Sequence, residues 1–170
     1  MKDQSKLQLF LENARRLNKR FGITPLLYGS VGLEYITGTN LSADDIDILI
    51  PKAYLLKKWE DFRKYMETIG YVLTDEHEHT FEKDSVSYSY ASIEELEAFA
   101  GITVSDIKTE KRGGTGFMIL SAEQYLQVYK SSATDGYRLN VKEKKDLEKI
   151  ELIKSFIAAN DRCRDPHKAS

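Results

Sequence analysis

The sequence predicts an α+β fold, in which a mixed β-sheet is flanked by helices and followed by C-terminal helices. Within residues 1–121, segments with the two-residue apolar period of strands follow segments with the helical period, whereas residues 122–170 have helical spacing. A chain of 170 residues is long enough for one core plus a helical appendage. We therefore expect a core over residues 1–121 and a helical portion over residues 122–170 that packs on it.

Helices and strands alternate along the first 70 residues. A helical apolar stripe ends at Gly22, and the apolar run Pro25–Tyr28 predicts a short buried strand. A second helix, Val31–Ile36, precedes the segment Asp44–Ile50, whose alternating acidic and apolar residues predict a strand. Pro51 then opens a helix, since its missing N–H costs least at that position. The apolar stripe of this helix comprises Leu55, Trp59, Phe62, Met66 and Ile69.

The rest of the core reads as strands with short helices. A hairpin of His77–Glu82 and Val86–Ala91 is predicted by strand-like composition on both sides of a polar turn. Ser92 with Glu95, and Ser121 with Gln124, have the capping-box spacing that begins a helix. A long final helix follows, with an apolar face that comprises Leu147, Ile150, Ile153, Phe156 and Ile157.

Bulk composition excludes several classes of protein. The net charge of -2 gives no general attraction for nucleic acid, so no strong nucleic-acid affinity is expected. No segment approaches the roughly 20 apolar residues that a membrane helix needs, so no membrane partner is expected. The single cysteine, Cys163, cannot form an internal disulfide, and residues 1–4 do not resemble a signal peptide. We expect a cytoplasmic protein.

Two polar motifs stand at the ends of neighbouring elements. Gly29 and Ser30 lie where a strand meets a helix, and a helix N-terminus offers free N–H groups to phosphate oxygens. Asp45 and Asp47 share one face of the following strand, and paired carboxylates are typical ligands of Mg²⁺. Asp44 faces away from Asp45 and is set aside. The combination predicts a site for a phosphate chain and its metal.

These motifs resemble the signature of the nucleotidyltransferase superfamily, which includes DNA polymerase β, antibiotic nucleotidyltransferases and minimal bacterial nucleotidyltransferases. The signature is Gly-Ser, a spacer, and an acid-apolar-acid-apolar strand, here Gly29-Ser30 and Asp45–Ile48 with fourteen residues between them. The resemblance implies a Mg²⁺- or Mn²⁺-dependent transfer of a nucleoside monophosphate from a nucleoside triphosphate. Its acceptor, of hydroxyl type, is open among small molecules, RNA and protein.

The C-terminal part is similar to the lysine-rich helices of AbiE-type toxins and lincosamide-modifying enzymes, on the residues from Tyr125 to Lys130 and from Asp135 to Leu147. In those families a helical lysine meets the triphosphate. Lys130 and Lys145 are the matching positions, and the resemblance implies that they bind nucleotide. Both also suit an ordinary solvated helix surface.

The chain departs from the superfamily at a third carboxylate, which usually stands on a later strand. The strand Val86–Ala91 has serines and tyrosines there, so Glu78, Glu82 or Asp84 would have to substitute. This departure leaves a second hypothesis open: a catalytically weak or inactive nucleotide-binding protein with a toxin-like or regulatory role.

A third hypothesis concerns zinc. His77 and His79 would share one strand face, as the ligands of a zinc hydrolase do, but no cysteine lies nearby to complete a ligand set. We regard an exposed strand edge as the better interpretation.

Overall fold

The computed structural model describes residues 5–134 and 141–164. Its strands are β1 Leu26–Tyr28, β2 Ile46–Ile50, β3 Val72–Asp75, β4 Thr80–Lys83, β5 Val86–Ser92, β6 Lys108–Arg112 and β7 Thr115–Ile119. Its α-helices are α1 Lys6–Phe21, α2 Gly29–Thr37, α3 Trp59–Thr68, α4 Glu95–Ala100, α5 Ala122–Thr134 and α6 Val141–Arg164. Short 3₁₀ turns occupy Lys52–Leu55 and Val104–Asp106.

The strands form one mixed sheet in the order β3-β4-β5-β2-β1-β7-β6. Strand β2 lies at its centre, antiparallel to β1 and parallel to β5, and β1 is in turn parallel to β7. The mixed sheet with flanking and C-terminal helices that the sequence predicts is therefore confirmed.

One face of the sheet, which we call the back face, is covered by α1 and α3. The apolar side chains of β2 that alternate with its acidic residues, Ile46, Ile48 and Ile50, are fully buried there. Aromatic rings fill the space between this face and α3, with Phe62 in contact with Phe81 and Tyr90. Alternation along β2 thus separates an apolar back from a partly polar front.

The opposite, front face is covered over only part of its width. Helices α4, α5 and α6 pack there in a second core cluster with Leu26 of β1 and Leu49 of β2. Beyond β2, the front of β3, β4 and β5 is open, since Ala91 on β5 is exposed and Val72 on β3 keeps 63% of its surface exposed. The front face therefore has a covered half, β2-β1-β7, and an open half, β3-β4-β5.

The half-buried Asn18 side chain fixes α1 against β7. Its amide nitrogen donates to the carbonyls of Ile23 (2.8 Å) and Gly116 (3.1 Å), and its oxygen accepts from the Gly116 N–H (2.8 Å). Three such bonds at one side chain hold the helix in register with the sheet, since each satisfies a group that would otherwise be buried unpaired.

Several local predictions are confirmed. The first helix ends at Gly22, whose left-handed φ of 68° forms the C-cap. The capping box at Ser121 is present in both directions, with the Gln124 N–H donating to Ser121 Oγ (3.1 Å) and the Ser121 N–H donating to Gln124 Oε1 (2.9 Å).

Three local predictions are wrong. The helix opened by Pro51 is interrupted, because the 3₁₀ turn ends at Leu55 and α3 begins only at Trp59. Ser92 does not cap α4: its hydroxyl donates to Glu94 Oε2 (2.7 Å), and Glu94 occupies the cap position. The strand predicted over His77–Glu82 begins only at Thr80, after a turn.

Within the described residues, no helix combines the length and apolarity needed to span a bilayer.

Candidate functional site

Gly29 and Ser30 are the first two residues of α2 and form the turn by which this helix follows β1 directly. Gly29 has a φ of 65°, in the left-handed region that glycine adopts without strain. A Cβ at this position would also overlap the carboxylate oxygen Oδ2 of Asp47. A glycine is therefore required at position 29 for two reasons: the backbone conformation there and the close approach of Asp47.

Tyr125 of α5 supports the same turn from below. Its side chain is 1% exposed, and its hydroxyl lies 3.3 Å from the Leu27 carbonyl and 3.4 Å from the Gly29 carbonyl. A side chain at Gly32 would collide with this hydroxyl. The ring of Tyr125 thus occupies the space that Gly32 leaves, and its hydroxyl contacts the carbonyls on both sides of Tyr28.

A row of polar side chains crosses the front face at the border between its two halves. Asp47 is the register partner of Tyr28 on β1 and of Ser89 on β5, and Ser89 in turn pairs with Thr80 on β4. The hydroxyls of Ser89 and Thr80 are 2.9 Å apart and hydrogen-bonded. Residues in register on neighbouring strands point to the same face, so Asp47 stands between a tyrosine and two hydroxyl side chains.

Burial raises the pKa of the half-buried Asp47 carboxyl above its ordinary value, the charge of Asp45 raises it further, and Lys149 opposes both effects. Burial, together with the Asp47 charge, also raises the pKa of Tyr28 to about 12. The Asp47 carboxylate is therefore poorly compensated by the protein alone, which is the condition that a bound cation would relieve.

Three cavities meet at Asp47. The first, which we call the loop cavity, has a volume of about 390 Å³ and lies between the loop before β2 and α6. The second, the open-face cavity, has a volume of about 750 Å³ and lies over β5 and the β3-β4 turn. The third, the helix cavity, has a volume of about 340 Å³ and lies between the Gly29-Ser30 turn, α5 and α6. Asp47 lines all three, and Ser30 lines the first and third.

The loop cavity brings together most of the site residues that the sequence predicts. Asp45, Asp47, Ser30 and Lys145 all line it. Asp45 is exposed and lies one residue before β2, so the pair stands at the strand's beginning rather than wholly within it. Asp44, which the sequence analysis sets aside, lines the same cavity.

Lys149 is a cation of this site that the sequence does not single out. It lines both the loop cavity and the helix cavity, and its charge lowers the pKa of Asp47. Its ammonium lies 5.1 Å from the ring centroid of Tyr129, a cation–π distance. Lys149 is four residues after Lys145 on α6, and this helical spacing is the sequence signal that could have found it.

Lys130 lies elsewhere. It is exposed on α5 and is absent from the residues that line the three cavities. Asp135 and Arg138 lie outside the described residues, as does the side chain of Lys144.

The position opposite Asp47 on β5, where the superfamily resemblance implies a third carboxylate, is Ser89. Among the three proposed substitutes, Glu78 lines the open-face cavity together with Asp47, whereas Glu82 and Asp84 line none of the three cavities. The described residues contain no group of three or more His, Cys, Asp or Glu side chains arranged to hold a metal ion.

The geometry on which the zinc hypothesis depends is wrong. His77 and His79 lie in the turn between β3 and β4 and not on a strand. The imidazole of His79 packs edge-on against Trp59, with ring centroids 4.7 Å apart.

No protein-family model matches the chain. The uncharacterized protein YnaI of Bacillus subtilis (strain 168) is 41% identical over 148 residues, which cover 87% of this chain and 95% of YnaI. The chain belongs to the YnaI family.

Solved structures share its architecture. An antigenic nucleotidyltransferase-like protein from Paracoccidioides brasiliensis superposes with a TM-score of 0.64 at 12% identity, over 86% of this chain and 73% of that one. The lincomycin-bound lincosamide antibiotic adenylyltransferase LnuA superposes with a TM-score of 0.58 at 16% identity, over 90% of this chain and 98% of LnuA. ANT(2'')-Ia in complex with adenylyl-2''-tobramycin superposes with a TM-score of 0.53 at 11% identity, over 98% of this chain and 100% of ANT(2'')-Ia. The fold is thus nucleotidyltransferase-like, as the sequence resemblance implies.

Proposed function

We propose that this protein is a nucleotidyltransferase that uses Mg²⁺ or Mn²⁺ to move a nucleoside monophosphate from a nucleoside triphosphate to a hydroxyl group. The observation on which the proposal depends is the contact between Gly29 and Asp47. At this contact, a helix N-terminus that can bind phosphate lies directly beside a carboxylate that can bind a metal. Phosphoryl transfer needs that juxtaposition, because the metal and the helix must act on the same phosphate chain.

Asp45 and Asp47 would hold the metal. Both line the loop cavity, and oxygen ligands suit Mg²⁺. Burial and the charge of Asp45 raise the pKa of Asp47, and a bound cation would oppose both effects. When bound, the ion would polarise the transferred phosphoryl group and neutralise the departing pyrophosphate.

Gly29 and Ser30 would bind the β and γ phosphates through the free N–H groups of α2 and the serine hydroxyl. We assign the neutralising cations to Lys145 and Lys149 of α6, since both line the loop cavity with Ser30. Lys130, which the sequence resemblance selects, is exposed and outside that cavity, so we omit it.

The acceptor would enter through the open-face cavity. Its volume of about 750 Å³ is in the range of small-molecule sites, and Asp47 forms part of its wall. Glu78 lines the same cavity and would take the proton from the attacking hydroxyl, in place of the carboxylate missing at Ser89. LnuA and ANT(2'')-Ia are antibiotic-modifying relatives in fold, which supports a small-molecule acceptor. The division into a core, 1–121, and a helical portion, 122–170, is part of this proposal.

Calorimetry tests the nucleotide and metal site. Wild-type protein should bind nucleoside triphosphate in the presence of Mg²⁺, and Asp47→Asn should lose at least about tenfold in affinity, because the metal loses a charged ligand. Asp61→Asn is the matched control, since Asp61 is exposed on α3, away from the three cavities, and it should bind as wild type does. Equal binding by Asp47→Asn and wild type would refute the site.

A second function is favoured by Ser89, which leaves the third carboxylate position without an acid. In that alternative the protein binds nucleotide without transferring it. Incubation with labelled nucleoside triphosphates and pools of small molecules, RNA and protein separates the two. Pyrophosphate release with label transfer supports the transferase, whereas intact binding without release supports the binding protein.

A further inference from the structure

The helix cavity contains a buried carboxylate that the phosphate-binding assignment does not use. Asp146 of α6 is 8% exposed and lines this cavity with Gly29, Ser30 and Lys149. Its oxygen Oδ2 accepts a hydrogen bond of 2.9 Å from the hydroxyl of Ser132 on α5. The bond fixes the carboxylate across the interface between the two C-terminal helices.

Asp146 has acceptor capacity left over. A carboxylate can accept about four hydrogen bonds, and Ser132 supplies one. Among the described residues, no cation lies within ion-pair distance of it, although Lys149 lines the same cavity. Within the part of the chain that the structure describes, this buried carboxylate is only partly satisfied, which favours a ligand with hydrogen-bond donors.

The charge of Asp146 indicates which part of a nucleotide this cavity suits. Phosphate oxygens are anionic acceptors, so a carboxylate repels them and offers them no donor. The nucleoside, by contrast, is neutral and has N–H and O–H donors. The loop cavity, with Lys145 in its wall, suits the phosphates. Ser30, Asp47 and Lys149 line both cavities, and the phosphate-binding Gly29 lies in the wall of the helix cavity, so the two cavities adjoin at the turn.

An aromatic ring completes the helix cavity. Phe99 of α4 lines it and keeps 43% of its surface exposed, which is unusual for a phenylalanine in a packed domain. A ring exposed at the edge of a cavity can stack on a nucleobase.

We infer that the helix cavity binds the nucleoside, with Asp146, oriented by Ser132, accepting two adjacent hydrogen-bond donors and Phe99 packing on the base. This inference rests on the proposed function. Two parts of a nucleotide offer such a donor pair: the ribose hydroxyls, and the N–H groups on the edge of guanine. A carboxylate binds either, so Asp146 determines nucleotide specificity.

Calorimetry without an acceptor, in Mg²⁺, distinguishes the two sources. The ligands are ATP, GTP, ITP, which lacks the exocyclic amino group of guanine, and the 2′-deoxy forms of each. If Asp146 binds the ribose, wild type prefers each ribonucleotide over its deoxy form by about tenfold, the usual effect of a hydrogen bond to a charged group. If it binds guanine, wild type prefers GTP over ITP by a similar factor. Asp146→Asn should abolish whichever preference is present.

Two further variants guard against a simple loss of folding. Ser132→Ala keeps the carboxylate but removes the bond that orients it, and should reduce the same preference. Phe99→Ala, at an exposed position, should lower the affinity for every nucleotide by a similar factor of up to about tenfold. The preference among the nucleotides should stay unchanged. Equal preferences in wild type and Asp146→Asn would overturn the inference.

Inorganic tripolyphosphate with Mg²⁺ separates this inference from the proposed function. It contacts only the phosphate-binding part, so wild type and Asp146→Asn should bind it equally. If wild type does not bind tripolyphosphate, the phosphate site itself is refuted. If it binds tripolyphosphate but shows neither nucleoside preference, only the assignment of Asp146 is refuted.

Discussion

The covered and open halves of the front face differ in what holds their side chains in place. On the covered half, Tyr125 contacts the Gly29-Ser30 turn from α5, and Leu26 and Leu49 are buried beneath the C-terminal helices. On the open half, the front-facing Ser89 of β5 is held by a hydrogen bond to Thr80 of the neighbouring strand β4. Asp47 lies on the border.

This difference separates two tasks. Positioning a phosphate chain and a metal needs groups held within a fraction of an ångström, which packing on both sides supplies. Admitting an acceptor needs accessible surface, which the uncovered strands supply. The proposed chemistry therefore belongs to the covered half, and the choice of acceptor belongs to the open half.

The largest expected effect comes from filling the contact between Gly29 and Asp47. Gly29→Ala should lower the rate of nucleotidyl transfer at least about a hundredfold, because a Cβ would displace Asp47 Oδ2 and misplace the metal ligand. The variant should also lose about 1–3 kcal/mol of stability from its left-handed φ. Steady-state kinetics and urea unfolding measure the two effects.

Gly38 is the matched control for that variant. It ends the same helix with a φ of 73°, and nothing lies within 4 Å of a Cβ built on it. Gly38→Ala should therefore have a similar loss of stability without the loss of rate. Equal rates in both variants would show that the contact with Asp47 is unimportant.

A smaller effect should follow from adding a carboxylate to the open half. Ser89→Asp places an acid opposite Asp47, and we expect Mg²⁺ affinity to rise about tenfold, because affinity for hard cations increases with ligand charge. Without metal, the variant should be less stable than wild type, since two like charges then face each other. Isothermal titration and thermal unfolding with and without Mg²⁺ test both expectations.

Ala91→Asp controls for the added charge. Ala91 is exposed on the same strand and face, but it pairs with Leu49 rather than with an acid. Its Mg²⁺ affinity should equal that of wild type. A rise in both variants would attribute the effect to net charge and not to the position opposite Asp47.

The sequence predicts the covered half well because its signals are local. Alternation along β2 assigns Ile48 to the core and Asp47 to the front, and the capping box at Ser121 places the start of α5. Both depend on residues a few positions apart, so periodicity and hydrogen-bonding chemistry suffice to identify them.

Other features depend on tertiary contacts that no local pattern encodes. The helical spacing of Lys145 and Lys149 places them on one face of α6, but only the packing of that helix shows that this face lines the loop cavity. His79 lies in a turn against Trp59 although its surroundings have strand-like composition. The position of Ser89 opposite Asp47 follows from the register of two parallel strands about 40 residues apart, which composition alone does not specify.

A moderate effect is expected where α5 supports the covered half. Tyr125→Phe removes a hydroxyl that contacts the carbonyls of Leu27 and Gly29, and should raise KM for nucleotide about threefold with little change in kcat, because the turn loses one support. Tyr35→Phe is the control: its hydroxyl donates to Glu110 (2.5 Å) away from the three cavities, so it should affect stability but not KM. An unchanged KM in Tyr125→Phe would limit Tyr125 to a packing role.

The smallest expected effect is on folding stability, and it comes from the charge of Asp47 in the absence of metal. Because the pKa of Asp47 is raised in the folded state, the folded protein holds this proton more tightly than the unfolded chain does. Stability is therefore greatest below the unfolded pKa, falls as the pH rises to the folded pKa, and remains lower above it. Asp47→Asn removes this cost and should raise the melting temperature by a few degrees at pH 7 in EDTA, with the gain vanishing once the pH falls below the pKa of the unfolded chain. A gain independent of pH would show that the cause is not the ionised carboxylate, and a loss at pH 7 would show that the covered half already compensates its charge.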